Sequence, residues 1–131
     1  MRIATWNINS VRLRLSQVLR VLEEYDFDVL CLQETKTRDV SFPANEIAEA
    51  GWPYQAIRGE KSYNGVAILS RFPIEKKSYQ DWVGKGDCRH IAAQIKGINI
   101  HNIYLPAGGD IPDRDENIKF GHKLDFVSEV T

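Results

Sequence analysis

The hydrophobic and polar positions of the first 34 residues predict a strand, a helix and a second strand. Residues 2–8 suit a strand. Residues 29–32 predict a strand buried on both faces, because consecutive apolar side chains place bulk on each side of a sheet. Between them, apolar residues recur at helical spacing over residues 11–25, preceded by Asn9 and Ser10, which are favourable N-cap residues. This order predicts a βαβ unit with two parallel strands and a right-handed crossover.

After residue 50 the pattern changes to short strands separated by glycine, proline and Asn-Gly turns. The predicted strands are 54–58, 66–70, 90–95 and 98–105. A short helix is predicted from Pro43 to Gly51. A last helix is predicted to begin with Asp113, Asp115 and Glu116, whose charges would suit the dipole at its N-terminus. Mixed strands and helices in this order predict an α/β fold.

The composition is that of one soluble globular domain, residues 1–131, with 43% hydrophobic and 27% charged residues, and it excludes disordered and collagenous classes. The two cysteines form neither a CxxC pair nor a metal-ligand spacing, which favours free thiols in a reducing compartment. No segment approaches the roughly 20 apolar residues of a membrane span, and the N-terminus lacks a signal-peptide pattern. We therefore expect a cytoplasmic protein with no membrane partner.

The net charge of −1 conceals two regions of opposite sign. Residues 23–49 contain eight acidic and two basic side chains, whereas residues 58–96 contain eight basic and four acidic ones. A locally basic region on a near-neutral chain is compatible with a polyanionic partner. A solvated surface of mixed charge is the commoner explanation, so charge alone leaves the partner open.

Two side chains with oxygen donors lie where the first two predicted strands end. Asn7 closes the first strand and Glu34 follows the second. Ligands of α/β sheets collect outside the carboxyl ends of the strands, and hard oxygen donors are the ligands that Mg²⁺ prefers. Gln33, on the opposite face by alternation, would support such a site rather than enter it. Spacing alone slightly favours the alternative, in which Asn7 caps the following helix and Glu34 is an ordinary charged strand end.

Further candidates lie beside later strands. Tyr104 precedes the pair Gly108-Gly109, where backbone can approach a ligand closely, and its phenol could hydrogen-bond a phosphate oxygen or help to orient a nucleophile. Packing with a hydrated hydroxyl is the commoner role of such a tyrosine. Asn64 belongs to an Asn-Gly turn, and Arg89 could clamp a phosphate or, more commonly, pair with an acid. The three histidines show no spacing typical of a nucleophile pair or a metal site.

Five collinear segments resemble the exonuclease III family of apurinic/apyrimidinic endonucleases, within the endonuclease/exonuclease/phosphatase superfamily. They are ATWNINS at the N-terminus, LQETK at 32–36, YNGVAILS at 63–70, DCRHIAAQI at 87–95 and NIYLPAGGD at 102–110. The resemblance extends from residue 1 to about 126. It implies a four-layered α/β sandwich, with two mixed sheets face to face and helices outside, of which this chain would form the N-terminal half.

The resemblance also implies magnesium-dependent hydrolysis of DNA phosphodiesters at abasic sites and 3′ termini, with Mn²⁺ as an alternative metal. Double-stranded DNA would be the partner, and the intact enzyme would be a monomer. Glu34 would be the metal-ligand glutamate, Asn7 would lie at or beside the metal, and Tyr104 would contact the scissile phosphate. The positions that resemble the family's DNA-facing loops are Lys36, Asn64 and Arg89.

The chain departs from the family pattern in two places. Ala107 stands where the family commonly has an asparagine after the proline of its tyrosine motif, so a hydrogen bond to phosphate would be missing or supplied by the backbone of Gly108 and Gly109. The later Gly-Asp-x-Asn and Ser-Asp-His motifs, which activate the attacking water and complete the metal site, have no counterpart here.

We therefore expect a truncated and catalytically deficient piece of the nuclease. Half a sandwich would also expose the inner face of its sheet, which predicts pairing with a second copy or reorganised packing. Two other functions stay open: a phosphoesterase of the same superfamily acting on RNA or small molecules, and a non-catalytic nucleic-acid-binding or assembly module.

Overall fold

The computed structural model describes residues 1–84 and 86–131. In chain order its strands and α-helices are β1 (Ile3–Asn7), α1 (Leu15–Glu24), β2 (Val29–Gln33), α2 (Ala44–Glu49), β3 (Tyr54–Arg58), β4 (Val66–Ser70), β5 (Ile74–Ser78), β6 (His90–Ile95), β7 (Ile98–Ile103) and α3 (Ile118–Val130). Short 3₁₀ turns occupy Asp39–Ser41 and Trp82–Gly84. The chain divides into two compact units, one of residues 1–80 with 87–104 and one of residues 81–86 with 105–131.

The first unit contains two β-sheets. The first sheet has the strand order β1-β2-β4-β3, and the second has the order β5-β6-β7. Only β1 and β2 pair in parallel among the described strands, as the predicted βαβ unit requires, and the other pairs are antiparallel. The predicted α/β class is therefore confirmed, with a mixed first sheet.

Two apolar cores cover the two faces of the first sheet. On one face, α1 and α2 pack through side chains such as Val18, Leu22 and Ile47. On the other face, β2 and β4 contribute Val29 and other side chains to a core completed by the second sheet; the members from that sheet are Ile91, Ala93, Ile95 and Ile100. β2 is apolar at consecutive positions because it has a core on each side.

The expectation of an uncovered inner sheet face is wrong. The single chain supplies strands to both sheets, so the inner face of the first sheet packs against the second sheet instead of meeting solvent. Val29 and Ile68 on that face are completely buried. A second copy is therefore not required to cover this face. Cys31 also lies in this core, and burial raises the pKa of its thiol to about 11.

The predicted start of the first helix is wrong by several residues. α1 begins at Leu15, after Arg14 at the N-cap position. Asn9 and Ser10 adopt left-handed backbone conformations with φ of 49° and 83°. Ser10 Oγ accepts a hydrogen bond from the Leu13 amide at 3.3 Å, so it caps the turn that precedes the helix.

The second unit is built around α3. The predicted acidic first turn is wrong, because α3 begins at Ile118 after the acidic segment and is capped by Asn117. Asn117 Oδ1 accepts from the Lys119 amide at 3.1 Å, and Asn117 Nδ2 donates to Gly108 O and Ile111 O at 2.8 Å each. No helix in the described part of the chain is sufficiently long and apolar to cross a membrane.

Candidate active site

Glu34 stands directly beyond the carboxyl end of β2, in a left-handed conformation with φ of 57°. The backbone around it is fixed by the chain that follows β1. Ile8 N donates to Gln33 O at 3.0 Å, and Ser10 N donates to Glu34 O at 2.8 Å. A left-handed non-glycine residue costs on the order of 1–3 kcal/mol and persists only where its surroundings over-determine it. Here the hydrogen bonds from residues 8–10 hold the backbone turn at the end of β2.

The residues after Glu34 are tied to the turn before β4. Thr35 N donates to Gly65 O at 3.2 Å, and Lys36 N donates to Asn64 O at 2.8 Å. A Cβ at Gly65 would lie 2.1 Å from Thr35 Oγ1, so only glycine allows this approach. The predicted Asn64-Gly65 turn thus forms one wall of the site through its backbone, while the Asn64 side chain donates to Glu60 Oε1 at 2.9 Å.

Tyr104 follows β7 and reaches Glu34. The Glu34 carboxylate lies close enough to the Tyr104 hydroxyl to influence its ionisation. Burial and this carboxylate raise the pKa of Tyr104, while the Arg89 cation opposes the shift. At neutral pH the phenol is therefore protonated and available as a donor. A carboxylate from the first sheet and a phenol from the second meet at one place.

Arg89 packs against the same tyrosine. Its guanidinium carbon lies 4.8 Å from the centre of the Tyr104 ring, and Tyr104 N donates to Arg89 O at 2.8 Å. Arg89 Nε also donates to the Asp87 carboxylate, and both side chains are largely buried. The arginine thus makes the acid pair that sequence considerations favoured, and it still places a cation beside Tyr104.

Lys36 lies beside Glu34, and both side chains are partly exposed. Its Nζ donates to Asn9 Oδ1 at 2.6 Å and lies 3.8 Å from Glu34 Oε1. Asn7 is brought to the same end of the sheet by strand pairing, since it is the register partner of Gln33, the residue before Glu34. By alternation along β1, Asn7 belongs to the same face as Thr5.

The structure therefore brings together four predicted site residues, Glu34, Tyr104, Arg89 and Lys36. Strand register places Asn7 at the same end of the sheet, and the backbone carbonyl of Asn64 accepts a hydrogen bond from the Lys36 amide. No group of three or more His, Cys, Asp or Glu side chains able to hold a metal occurs among the described residues. One carboxylate with one neighbouring amide nevertheless fits Mg²⁺, which is commonly held through one or two carboxylates, with water and substrate phosphate as its other ligands.

Sequence considerations missed two features of this region. Asn102 within β7 is buried and hydrogen-bonded to the strand that leads to Glu34, and its only signal was a polar residue in an apolar strand pattern. A cavity of about 330 Å³ beside Lys36 is lined by four cations and no acid; its lining is Arg12, Lys36, Thr37, Arg38, Ser41, Lys61 and Ser62. Its basic residues come from distant parts of the sequence, so their convergence could not be read from the pattern.

Comparison with known proteins places this geometry in a family. The family model described as "Endonuclease/Exonuclease/phosphatase family" matches residues 4–120. Exodeoxyribonuclease III of Haemophilus influenzae is 29% identical over 139 residues, a match covering 99% of this chain and 49% of the relative. The chain thus spans about half the length of this relative.

Two solved structures are similar along almost the whole chain. The 3′ phosphatase NExo from Neisseria, bound to a product DNA hairpin, matches with a TM-score of 0.89 and 34% identity, covering 99% of this chain and 49% of that one. An AP endonuclease from Archaeoglobus fulgidus matches with a TM-score of 0.87 and 36% identity, covering the same shares. The resemblance to exonuclease III and AP endonucleases is confirmed, and the chain belongs to the Endonuclease/Exonuclease/phosphatase family.

Proposed function

We propose that this chain carries the metal- and phosphate-binding part of a DNA repair nuclease of the exonuclease III type. The reaction is hydrolysis of DNA phosphodiesters at abasic sites and 3′ ends, with Mg²⁺ as cofactor and Mn²⁺ as an alternative. The supporting observation is that the Arg89 guanidinium packs on the Tyr104 ring while the Glu34 carboxylate lies near the Tyr104 hydroxyl. Cytoplasmic action on double-stranded DNA is part of this proposal.

Each residue of the cluster has a defined role. Glu34 and Asn7 would hold the metal, and a metal bound there would supply Lewis-acid polarisation of a phosphoryl oxygen. Tyr104, with its pKa raised by burial and by Glu34, keeps its proton and donates a hydrogen bond to a phosphate oxygen. Arg89 and Lys36 add positive charge that offsets the charge of the scissile phosphate.

The cavity lined by Arg12, Lys36, Arg38 and Lys61 supports a nucleic-acid substrate over a small phosphorylated molecule. Four cations without an acid attract successive backbone phosphates, and Lys36 belongs both to this cavity and to the Glu34 cluster. A DNA strand bound along the cavity would therefore deliver a phosphate toward Tyr104.

This chain by itself is proposed to bind DNA with little or no turnover. Among the described residues of the cluster, the Glu34 carboxylate is paired with Lys36 and the Asp87 carboxylate with Arg89, so neither is available to activate water. A non-catalytic nucleic-acid-binding module is the second candidate, and the acid-free cavity is the observation that favours it.

The test is cleavage and binding of an abasic-site duplex with Mg²⁺, using residues 1–131, the variant Glu34→Gln and the control Glu49→Gln on the exposed surface of α2. We expect salt-sensitive binding in all three proteins, Mg²⁺-enhanced binding that is lost only in Glu34→Gln, and negligible cleavage. Robust cleavage that Glu34→Gln abolishes would contradict the incomplete site. Binding without any contribution of Mg²⁺ or Glu34 would favour the binding module. Absence of DNA binding would contradict both the nuclease and the module.

A further inference from the structure

An ion pair that is largely withdrawn from water lies directly before β6. Arg89 Nε donates to the Asp87 carboxylate, and only 13% of the arginine side chain and 19% of the aspartate side chain are exposed. The other arginine pairs among the described residues are more exposed; they join Arg20 to Glu24, Arg71 to Asp26 and Arg114 to Asp125. Removing both charges from water is costly, so this pair calls for a role beyond stability.

The Arg89 side chain is held in one orientation. Nε is engaged by Asp87, Nη1 donates to Tyr104 O at 3.4 Å, and the guanidinium carbon lies 4.8 Å from the centre of the Tyr104 ring. No partner of Nη2 occurs among the described residues, and Nη2 is not a buried unsatisfied atom, so it reaches solvent. The planar guanidinium therefore presents one corner outward, next to Tyr104.

The backbone on both sides of the pair is also fixed. Cys88 has a left-handed φ of 50°, and its carbonyl accepts a hydrogen bond from Gly65 N at 3.1 Å. Tyr104 N donates to Arg89 O at 2.8 Å. The segment that carries Asp87 and Arg89 is thus tied to the turn before β4 and to the residue after β7.

An acid at this place is unexpected if Arg89 supplies only charge. Asp87 offsets much of the positive charge of Arg89, so it should weaken the attraction of a DNA phosphate. Orientation is the benefit that an acid can give. An arginine side chain loses conformational freedom when it binds, and an ion-pair partner imposes that loss before the ligand arrives. A partner on Nε also leaves a terminal nitrogen as the donor toward phosphate.

We propose that Asp87 is a positioning residue that holds Arg89 over the Tyr104 ring, so that Arg89 Nη2 faces a phosphate of the bound DNA. The placement of Arg89 by Asp87 is a claim about the free protein. Its use in binding phosphate rests on the proposed function.

The first measurement uses neither DNA nor metal. It follows the arginine side-chain protons by NMR, with Arg89 assigned through Arg89→Lys, because a group above an aromatic ring is shifted by the ring current. Asp87→Ala removes the partner of Nε, and we expect most of the ring-current shift of Arg89 to be lost. A shift as large as in the parent chain would overturn the proposal.

Asp26→Ala is the matched control. It removes the same charge from an exposed pair with Arg71, whose guanidinium carbon lies 4.7 Å from the centre of the Trp52 ring. Asp26 precedes the amino end of β2. We expect the Arg89 resonances to be unchanged in this variant. An equal loss in Asp26→Ala and Asp87→Ala would mean that overall charge holds Arg89, which contradicts the proposal.

The second measurement is the affinity for the abasic-site duplex, determined by fluorescence anisotropy. If charge alone mattered, removing an acid would strengthen binding. We expect Asp87→Ala to weaken it by on the order of tenfold, because a charge-assisted hydrogen bond to phosphate loses its fixed donor. Asp26→Ala should bind as tightly as the parent chain or more tightly. Tighter binding by Asp87→Ala would refute the positioning role.

Asp87→Asn serves where Asp87→Ala does not fold, which circular dichroism establishes for each variant. The amide oxygen still accepts from Arg89 Nε without a charge, so we expect a smaller loss of affinity, about two- to fourfold. Charge alone predicts the same gain in both variants. A purely structural role predicts lower stability with unchanged affinity of the folded protein. Either result overturns the proposal.

A double-mutant cycle tests whether Asp87 acts through Arg89. In Arg89→Met the carboxylate has no arginine to hold. Adding Asp87→Ala should then strengthen DNA binding, which is opposite to its effect in the parent chain. The same weakening in both backgrounds would show that Asp87 acts elsewhere and would refute its positioning of Arg89.

The two measurements separate this proposal from the proposed function. Loss of the ring-current shift in Asp87→Ala, together with absence of DNA binding by the parent chain, would refute the proposed function and support the placement of Arg89 by Asp87. DNA binding that the Asp87 variants leave unchanged would overturn the present proposal and leave the function standing.

Discussion

At the scale of single residues, the candidate site depends on close approach of backbone and side chains as much as on charged groups. Glu34 was recognisable as a carboxylate at a strand end, and Tyr104 as a phenol before a glycine pair. Their proximity could not be deduced, because it depends on the left-handed turn at Glu34 and on how the sheets stack. Asn102 was overlooked because a lone amide in an apolar strand carries no signal until its partners are known.

Gly65→Ala should destabilise the fold by about 2 to 4 kcal/mol. The new methyl group would lie 2.1 Å from Thr35 Oγ1, and the backbone at Gly65 has φ of +95°. Gly97→Ala is the matched control, since it has φ of +74° and no neighbour within 4 Å, and should cost only about 1 kcal/mol. Urea denaturation of both variants measures the difference, and equal losses would show that the contact with Thr35 is unimportant.

His90 should make the protein less stable in mildly acidic solution. Burial, His101 and Arg58 lower the pKa of His90 from 6.5 to about 4. Its Nδ1 accepts from Gln80 N at 2.9 Å, so protonation would break this bond. The unfolded chain takes up the proton as pH falls below about 6.5, whereas the folded chain resists until about pH 4. The free energy of unfolding should therefore be highest above pH 6.5 and fall by on the order of 3 kcal/mol as the pH is lowered from 6.5 to 4.

Urea denaturation between pH 7.5 and 4 measures this loss. His90→Gln should flatten the dependence on pH, while His122→Gln in the other unit should retain it. An identical slope in the parent chain and in His90→Gln would contradict the assignment to His90.

At the scale of secondary-structure elements, strongly patterned segments were predictable and polar edges were not. β2 and β4 are buried at nearly every position, and their apolar runs identified them. β5 was missed because its sequence IEKKS has no alternation, and four of its five residues are exposed at the edge of the second sheet. The start of α1 was misplaced because Asn9 and Ser10, good caps in isolation, stabilise a preceding turn.

Asn117→Ala should loosen the start of α3. The change removes the acceptor for the Lys119 amide and the two donors to Gly108 O and Ile111 O. We expect a loss of about 1 to 2 kcal/mol and faster amide exchange in the first turn of α3. Hydrogen exchange of this variant, compared with Asn45→Ala on the exposed surface of α2, measures it. Unchanged protection of α3 would show that the cap contributes little.

At the scale of the whole molecule, the resemblance predicted two mixed sheets face to face, but the number of sheets within this chain was misjudged. Half of a sandwich suggested one sheet with an open inner face, whereas the chain contributes four strands to one sheet and three to the other. Charge was similarly hidden at this scale. A net charge of −1 gives no indication of a cavity with four cations, because their convergence depends on tertiary structure.

Neutralising the cavity should weaken DNA binding and reduce its dependence on salt. Arg38→Ala with Lys61→Ala removes two of the four cations, so the slope of log affinity against log salt should decrease by about 1 for each phosphate that is no longer neutralised. Lys76→Ala with Lys77→Ala on β5 is the control of equal charge outside this cavity. Fluorescence anisotropy at several salt concentrations provides the slopes. Equal effects of the two double variants would mean that binding follows overall charge and not this cavity.

The thiol of Cys31 lies in the apolar core between the two sheets, where burial raises its pKa to about 11. A thiol that is both hidden and protonated is nearly inert toward alkylating reagents. It becomes reactive only in the moments when the sheets part, so in a chain whose Cys88 has been replaced by serine the rate of alkylation counts those openings. The alkylation rate would therefore report how often the two sheets separate near the strands that precede Glu34 and Tyr104.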